Sequence, residues 1–303
     1  MNKAIYPPPV RKGETIGLVA PAGSLISKDN FTAGINILES QGFKVKFNQK
    51  ILSTKGYLAG SDQERANDFN RLWSDNEVKA LVAARGGYGC LRMFDLIDLK
   101  QIRKEPKILI GFSDLTVLLN AIHKKTRLVT FHGPVITTLS SIDKKSEKNF
   151  FNVLSGKTPD QIKLFNLKIV KGGKAKGILL GGNLTTLVHM IGTPYEISWK
   201  NAILFIEDVG ESPYRLDRLI THLAKAKRLQ KVKGLILGTF TGDGKKEDRT
   251  MNKVIQQRII EFMKGSNIPV WANFPVGHSR RNLTLPVGRE VEMVSNEKIL
   301  KFL

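Results

Sequence analysis

Short apolar runs alternate along the chain with stretches in which apolar positions recur every three or four residues. Thr15 to Ala20, Phe43 to Phe47, Lys79 to Ala84, Lys107 to Gly111 and Leu128 to Phe131 have the length and flanking polar residues of strands. Helical patterns lie between several of them. Ser61-Asp62-Gln63-Glu64 is a capping box, and Ala66, Phe69 and Trp73 then fall on one helical face. Such alternation predicts a parallel sheet covered by helices.

From about Ser140 to Lys176 the chain turns polar, with Lys144, Lys145, Lys148, Ser155-Gly156 and Gly172-Gly173 in close succession. We place an interdomain linker there, so that residues 1–140 form an N-terminal α/β domain and residues 177–303 a smaller C-terminal one. Strands are predicted at Gly177 to Leu180, Ala202 to Glu207, Gly234 to Phe240 and Val270 to Phe274. Asn282 to Pro286 and Glu290 to Val294 read as a hairpin around Val287-Gly288-Arg289, which makes this half a mixed α/β domain.

Length agrees with two domains, since 303 residues exceed one comfortable core. An apolar fraction of 41% is ordinary for a globular protein. Three prolines, Pro7 to Pro9, stand where a secretory signal needs an apolar helix, so a cytoplasmic location is expected. The most apolar segment, Ile178 to Ile191, is broken by Gly181, Gly182, Asn183 and His189, and no membrane association is expected. The single cysteine, Cys90, excludes an internal disulfide and reads as a buried structural residue. The formal charge of +21 invites an acidic partner, but the lysines are scattered. Only Ala224 to Lys233 approaches a cluster, without any nucleic-acid-binding motif, and it reads as a solvated face.

Candidate chemistry lies where strands give way to helices, because backbone N–H groups there point into a crevice. One such corner is Arg85-Gly86-Gly87-Tyr88-Gly89, whose glycines let the backbone approach a ligand; another is Gly111-Phe112-Ser113-Asp114. A serine nucleophile needs a base and something to orient it. Of five histidines, His123 and His222 lie in helical patterns and read as packed or solvated, and His189 reads as core. His132, after a strand, is a plausible site residue, and His278 sits in the loop Pro275 to Ser279, where a side chain reaches a cleft. Glu207 and Asp208, ending one apolar strand, are equally good orienting acids by spacing, and Asp114 and Asp208 also fit helix caps. The order Ser, acid, His is that of α/β-hydrolases, but Leu115 stands where their elbow has its last glycine. Metal-protease, dinucleotide and P-loop spacings are missing.

Taken together these residues resemble the LD-carboxypeptidase family of serine peptidases. The likeness runs nearly the whole chain, through Gly17 to Gly23, Gly56 to Gly60 with Arg65-Ala66, Ala84 to Gly89, Ile110 to Asp114, His132-Gly133-Pro134, Gly181 to Leu184, Phe205 to Asp208 with Tyr214 to Arg218, and Gly277-His278. The resemblance implies a flavodoxin-like or amidotransferase-like N-terminal domain, with Ser113 as nucleophile, His278 as general base and acid, and Glu207 orienting the imidazole. It further implies an oxyanion hole made by backbone N–H groups of Asp114 and Gly87. The implied reaction removes a C-terminal D-amino acid, as in release of D-alanine from the murein tetrapeptide during cell-wall recycling, without metal or organic cofactor. Arg85 and Arg280 are candidates for the substrate carboxylate, and the resemblance also implies a homodimer. Two alternatives stand beside this reading. One is an immunity-type peptidase hydrolysing a toxic aminoacyl-nucleotide analogue with the same three residues; the other is a non-catalytic basic binding protein on the same scaffold.

Overall fold

The computed structural model describes residues 3–242 and 245–303, with the backbone alone over 245–249. It divides into two compact units, Met1–Thr158 with Asn282–Pro286, and Pro159–Arg281 with Val287–Leu303.

The first unit runs β1 (Thr15–Val19), α1 (Lys28–Ser40), β2 (Lys44–Lys46), α2 (Asp62–Ser74), β3 (Val78–Ala83), α3 (Cys90–Met93), α4 (Leu99–Lys104), β4 (Ile108–Gly111), α5 (Thr116–Thr126), β5 (Thr130–His132), α6 (Ile136–Leu139) and α7 (Lys144–Leu154). Its strands pair in parallel in the order β2-β1-β3-β4-β5, the flavodoxin-like arrangement. Residues 80–83 and 108–111 are wholly buried, which is why these strands read as continuous apolar runs rather than alternating ones. The capping box of α2 forms: Ser61 Oγ accepts the Glu64 N–H at 3.2 Å and Glu64 Oε2 accepts the Ser61 N–H at 2.9 Å. Ala66, Phe69 and Trp73 are buried on the face it starts.

The second unit holds β6 (Gln161–Lys163), β7 (Lys168–Lys171), β8 (Lys174–Asn183), α8 (Leu184–His189), β9 (Ala202–Val209), α9 (Pro213–Lys225), β10 (Gly234–Thr241), α10 (Lys245–Phe262) and β11 (Val270–Ala272). The chain then gives β12 (Leu285–Val287) to the edge of the first sheet, beside β5, before β13 (Glu290–Val294) and β14 (Ile299–Phe302) complete the second. In that sheet β8, β9, β10 and β11 are parallel, and β13, β14, β6 and β7 pair antiparallel around them.

Two stretches differ from the pattern expected. The segments read as one hairpin belong to different sheets, β12 to the first and β13 to the second, where β13 pairs antiparallel with β14 and β8. Backbone hydrogen bonds between Leu179 and Gly288-Arg289 hold that turn to β8, and side chains of α7 hold the preceding segment: Ser146 Oγ accepts the Asn282 N–H at 3.1 Å and Asn149 Oδ1 the Thr284 N–H at 2.6 Å. Pro286 has no N–H to give a ladder, which suits an edge strand. Within the polar stretch 141–176, α7 buries Phe150, Val153 and Leu154 in the core of the first unit. Lysines fill the exposed face of that helix, which is why its average composition reads as a linker.

Candidate functional site

Ser113 stands at the corner between β4 and α5. Phe112 continues the strand in extended backbone, and Ser113 then turns to φ +65° before a single 3-10 turn, Ser113–Leu115, leads into α5. A side chain in left-handed backbone costs about 1–3 kcal/mol and persists only where its surroundings dictate it. Gly86 supplies one such surrounding: a Cβ there would lie 2.6 Å from Ser113 Cβ and 2.8 Å from its Oγ. The serine is half-buried, its hydroxyl against a bare stretch of main chain.

Asp114 holds this corner to the glycine loop. Its buried carboxylate Oδ2 accepts the Cys90 N–H at 2.8 Å, at the start of α3. Burial raises the Asp114 pKa, and the Cys90 N–H opposes the rise. Cys90 itself is fully buried, and burial together with the Asp114 charge pushes its thiol well above the ordinary value. The loop's other end is held by Gly86, whose carbonyl accepts the Gly23 N–H at 3.1 Å. These loops follow β1 and β3, where the strand order reverses, the position at which open parallel sheets bind ligands. Gly87 is exposed at φ +123° in this loop. Arg85 donates from Nη1 to the Ser24 carbonyl at 2.6 Å, and burial lowers its pKa.

The sequence pattern alone assigns no role to Arg65. It is 3% exposed, and its guanidinium donates to the carbonyls of Pro21, Gly60 and Gly89 while pairing with Asp62. A cation on the buried stripe of α2, one position before Ala66, was the available signal, since a buried guanidinium needs several acceptors.

In the second unit, Glu207 and His278 meet. His278 Nδ1 donates to Glu207 Oε2 at 2.7 Å, with the glutamate fully buried at the carboxyl end of β9. Gly277 permits the approach: at φ +116°, a Cβ on it would lie 2.7 Å from both Glu207 Cβ and Oε2. The loop is fastened to β10 by the Thr239 N–H, which donates to the Val276 carbonyl at 2.9 Å. Burial disfavours the charged imidazole, but the Glu207 carboxylate outweighs it with help from Asp208, and the His278 pKa rises above its ordinary value.

The two neighbouring acids separate by strand alternation. Asp208 turns from the histidine toward the start of α8, where it accepts from Asn183 Nδ2 at 2.7 Å, the Thr185 N–H at 2.9 Å and Thr185 Oγ1 at 2.8 Å. Burial and the Glu207 charge raise its pKa to about 6. Its cap-like contact is thus to α8, not to the helix that follows it in sequence.

Of the remaining candidates, Arg280 is exposed in the His278 loop. His132 is fully buried, its ring edge-on to Phe112 at 5.9 Å between centroids, next to Ser113. His123 is packed, its Nδ1 3.0 Å from the Leu128 carbonyl, and burial lowers its pKa to about 4. His222 is exposed, and so is His189, which was expected in the core. His189 closes the short helix α8 on its outer side, a placement that the apolar run around it concealed. Among the described residues no group of three or more His, Cys, Asp and Glu side chains is placed to hold a metal ion, and no helix is long and apolar enough to cross a membrane.

Comparison with known proteins covers both units. Residues 16–133 match the LD-carboxypeptidase N-terminal domain and residues 176–293 the LD-carboxypeptidase C-terminal domain. The chain is 36% identical to the probable murein peptide carboxypeptidase of Bacillus subtilis, over 96% of this chain and 92% of that protein. It superposes on an MccF-like protein from Bacillus anthracis with a TM-score of 0.89 at 26% identity, over 99% of each chain. The structure of MccF in complex with glutamyl sulfamoyl guanosine matches with a TM-score of 0.87 at 26% identity, over 98% of this chain and 97% of that one.

Proposed function

We propose that this chain, which belongs to the LD-carboxypeptidase family, is a serine carboxypeptidase that cleaves an L-D peptide bond and releases D-alanine from a murein tetrapeptide. The observation that carries the reading is Ser113 itself, a strained side chain at a strand-to-helix corner with Gly86 cleared away beside its hydroxyl. The Glu207–His278 pair supports it from the second unit.

In this reading Ser113 Oγ attacks the scissile carbonyl while His278 Nε2 takes the hydroxyl proton. Glu207 keeps Nδ1 protonated and stabilises the imidazolium that forms. The backbone N–H groups of Asp114 and Gly87 hold the oxyanion, each contributing about 3 kcal/mol to lowering the barrier. Collapse of the tetrahedral intermediate breaks the C–N bond, and His278 returns its proton to the departing amine. Water then hydrolyses the Ser113 ester by the same cycle. Arg280, exposed in the histidine loop, is the better placed cation for the substrate's terminal carboxylate, and Arg85, engaged with Ser24, is better placed to steady the glycine loop. A cytoplasmic homodimer completes the proposal.

The test is D-alanine release from UDP-muramoyl tetrapeptide by the purified protein, beside Ser113→Ala and His278→Ala. The wild type is expected to release D-alanine and both variants to fall to background; undiminished release by either variant rejects the assignment. A peptide ending in L-alanine should be left intact. The likeness to MccF bound to glutamyl sulfamoyl guanosine favours a second reading, hydrolysis of an aminoacyl sulfamoyl nucleoside by the same residues. Comparing kcat/KM for the tetrapeptide and for glutamyl sulfamoyl guanosine decides between them.

A further inference from the structure

The second unit gathers lysines that the sequence scatters. Lys174 and Lys176 open β8, Lys200 precedes β9, and Lys231 and Lys233 precede β10; with Asn267, ahead of β11, they line one cavity of about 640 Å³. Two of them come from the basic segment Ala224 to Lys233, which the proposed reaction leaves without a task. The cavity lies at the amino ends of the parallel strands. Glu207 and His278 stand at or beyond the carboxyl ends of the same strands, so the cavity is distinct from that pair.

All five lysines are exposed, and among the described residues no Asp or Glu lines the cavity. A carboxylate outside the lining, Glu290, pairs with Lys176 at 3.2 Å. With the Lys176 charge offset by Glu290, the other four lysines around one concavity focus a positive potential that favours multivalent anions over single charges. Ammonium groups are point charges with rotatable donors, suited to phosphate oxygens. Among the described residues the lining holds no aromatic side chain on which a base would stack, and its size is that of a small-molecule site. We infer that this cavity binds a compact anion carrying several phosphates, recognised by its charge and oxygens alone.

Calorimetric titration of the full-length protein with inorganic tripolyphosphate tests this. Saturable one-to-one binding is expected, weakening as salt is raised. Lys200→Gln and Lys233→Gln should each weaken it roughly two- to fivefold. Lys200→Glu with Lys233→Glu should abolish it without changing the melting temperature. Lys28→Glu with Lys100→Glu, on the first unit, should leave it unchanged. Equal affinity for tripolyphosphate and ATP supports recognition by phosphate alone, and a tenfold preference for ATP overturns it. The inference also fails if no saturable binding is seen, if the Lys28/Lys100 pair weakens binding as much as the Lys200/Lys233 pair, or if duplex DNA displaces tripolyphosphate and binds more tightly.

Discussion

His278 Nδ1 lies 2.7 Å from a Glu207 oxygen that is fully buried beneath Gly277. A carboxylate there fixes the ring's tautomer, so that Nε2 is the nitrogen that accepts a proton, and stabilises the protonated ring. Glu207→Gln keeps the shape but turns an acceptor into an amide, so kcat should fall by about 10³-fold or more with little change in KM. A general base must be neutral, so wild-type kcat/KM should rise with pH through a midpoint above the ordinary histidine value of 6.5, because Glu207 raises the His278 pKa. In the variant the residual activity should rise at lower pH. A pH profile whose midpoint does not move would separate Glu207 from the base.

Ser113 carries strain that glycine would not. Ser113→Gly should therefore be inactive yet more stable, by about 1 kcal/mol, after part of the relief is lost to the greater freedom of glycine in the unfolded chain. Ser113→Ala should be inactive and gain nothing, since alanine keeps the Cβ that faces Gly86. Thermal unfolding of the three proteins checks this. A melting temperature for Ser113→Gly at or below that of Ser113→Ala would mean that the corner stores no strain.

Much of this architecture was legible because buried parallel strands are written as unbroken apolar runs; Lys79 to Ala84 and Lys107 to Gly111 fall within a residue of β3 and β4. The corner at Ser113 was equally visible as a strand running into a helix. Other features depend on distant partners. Strand alternation says that Glu207 and Asp208 face opposite ways, but which one meets the histidine depends on the placement of Gly277, seventy residues later. The sheet that takes Leu285–Val287 is chosen by Ser146 and Asn149 on α7, and no local pattern near residue 285 records them. Arg65 lay within a recognised motif, yet its three carbonyl acceptors come from loops separated along the chain.

In the proposed mechanism Asp114 acts in two ways, its N–H toward the oxyanion and its carboxylate toward the Cys90 N–H. Asp114→Ala keeps the first and removes the second, so the glycine loop is released while the corner keeps its main chain. We expect kcat to fall about 10- to 100-fold, consistent with a slightly misplaced donor. Cys90, now buried, should become reactive toward a thiol reagent. Asp114→Asn, which retains an acceptor oxygen, should recover most of both properties. Full activity in Asp114→Ala, with Cys90 still protected, would show that the loop is held by other contacts.

Asp208 should mark its environment in the pH dependence of stability. Its pKa is raised from 3.8 to about 6 by burial and by the neighbouring Glu207 charge, so between these values the folded chain holds a proton that the unfolded chain has released. The folded state then binds more protons, and stability from this group must fall as pH rises through that window, by about 3 kcal/mol at most. Asp208→Asn cannot titrate. It should be less stable than the wild type at pH 4, because its amide turns donors toward Asn183 and Thr185, and that deficit should shrink toward pH 7. Denaturant unfolding of both proteins at several pH values measures the difference. A deficit constant across the window would mean that Asp208 is ionised throughout, and that its four hydrogen-bond donors, the Val209 N–H included, outweigh its burial.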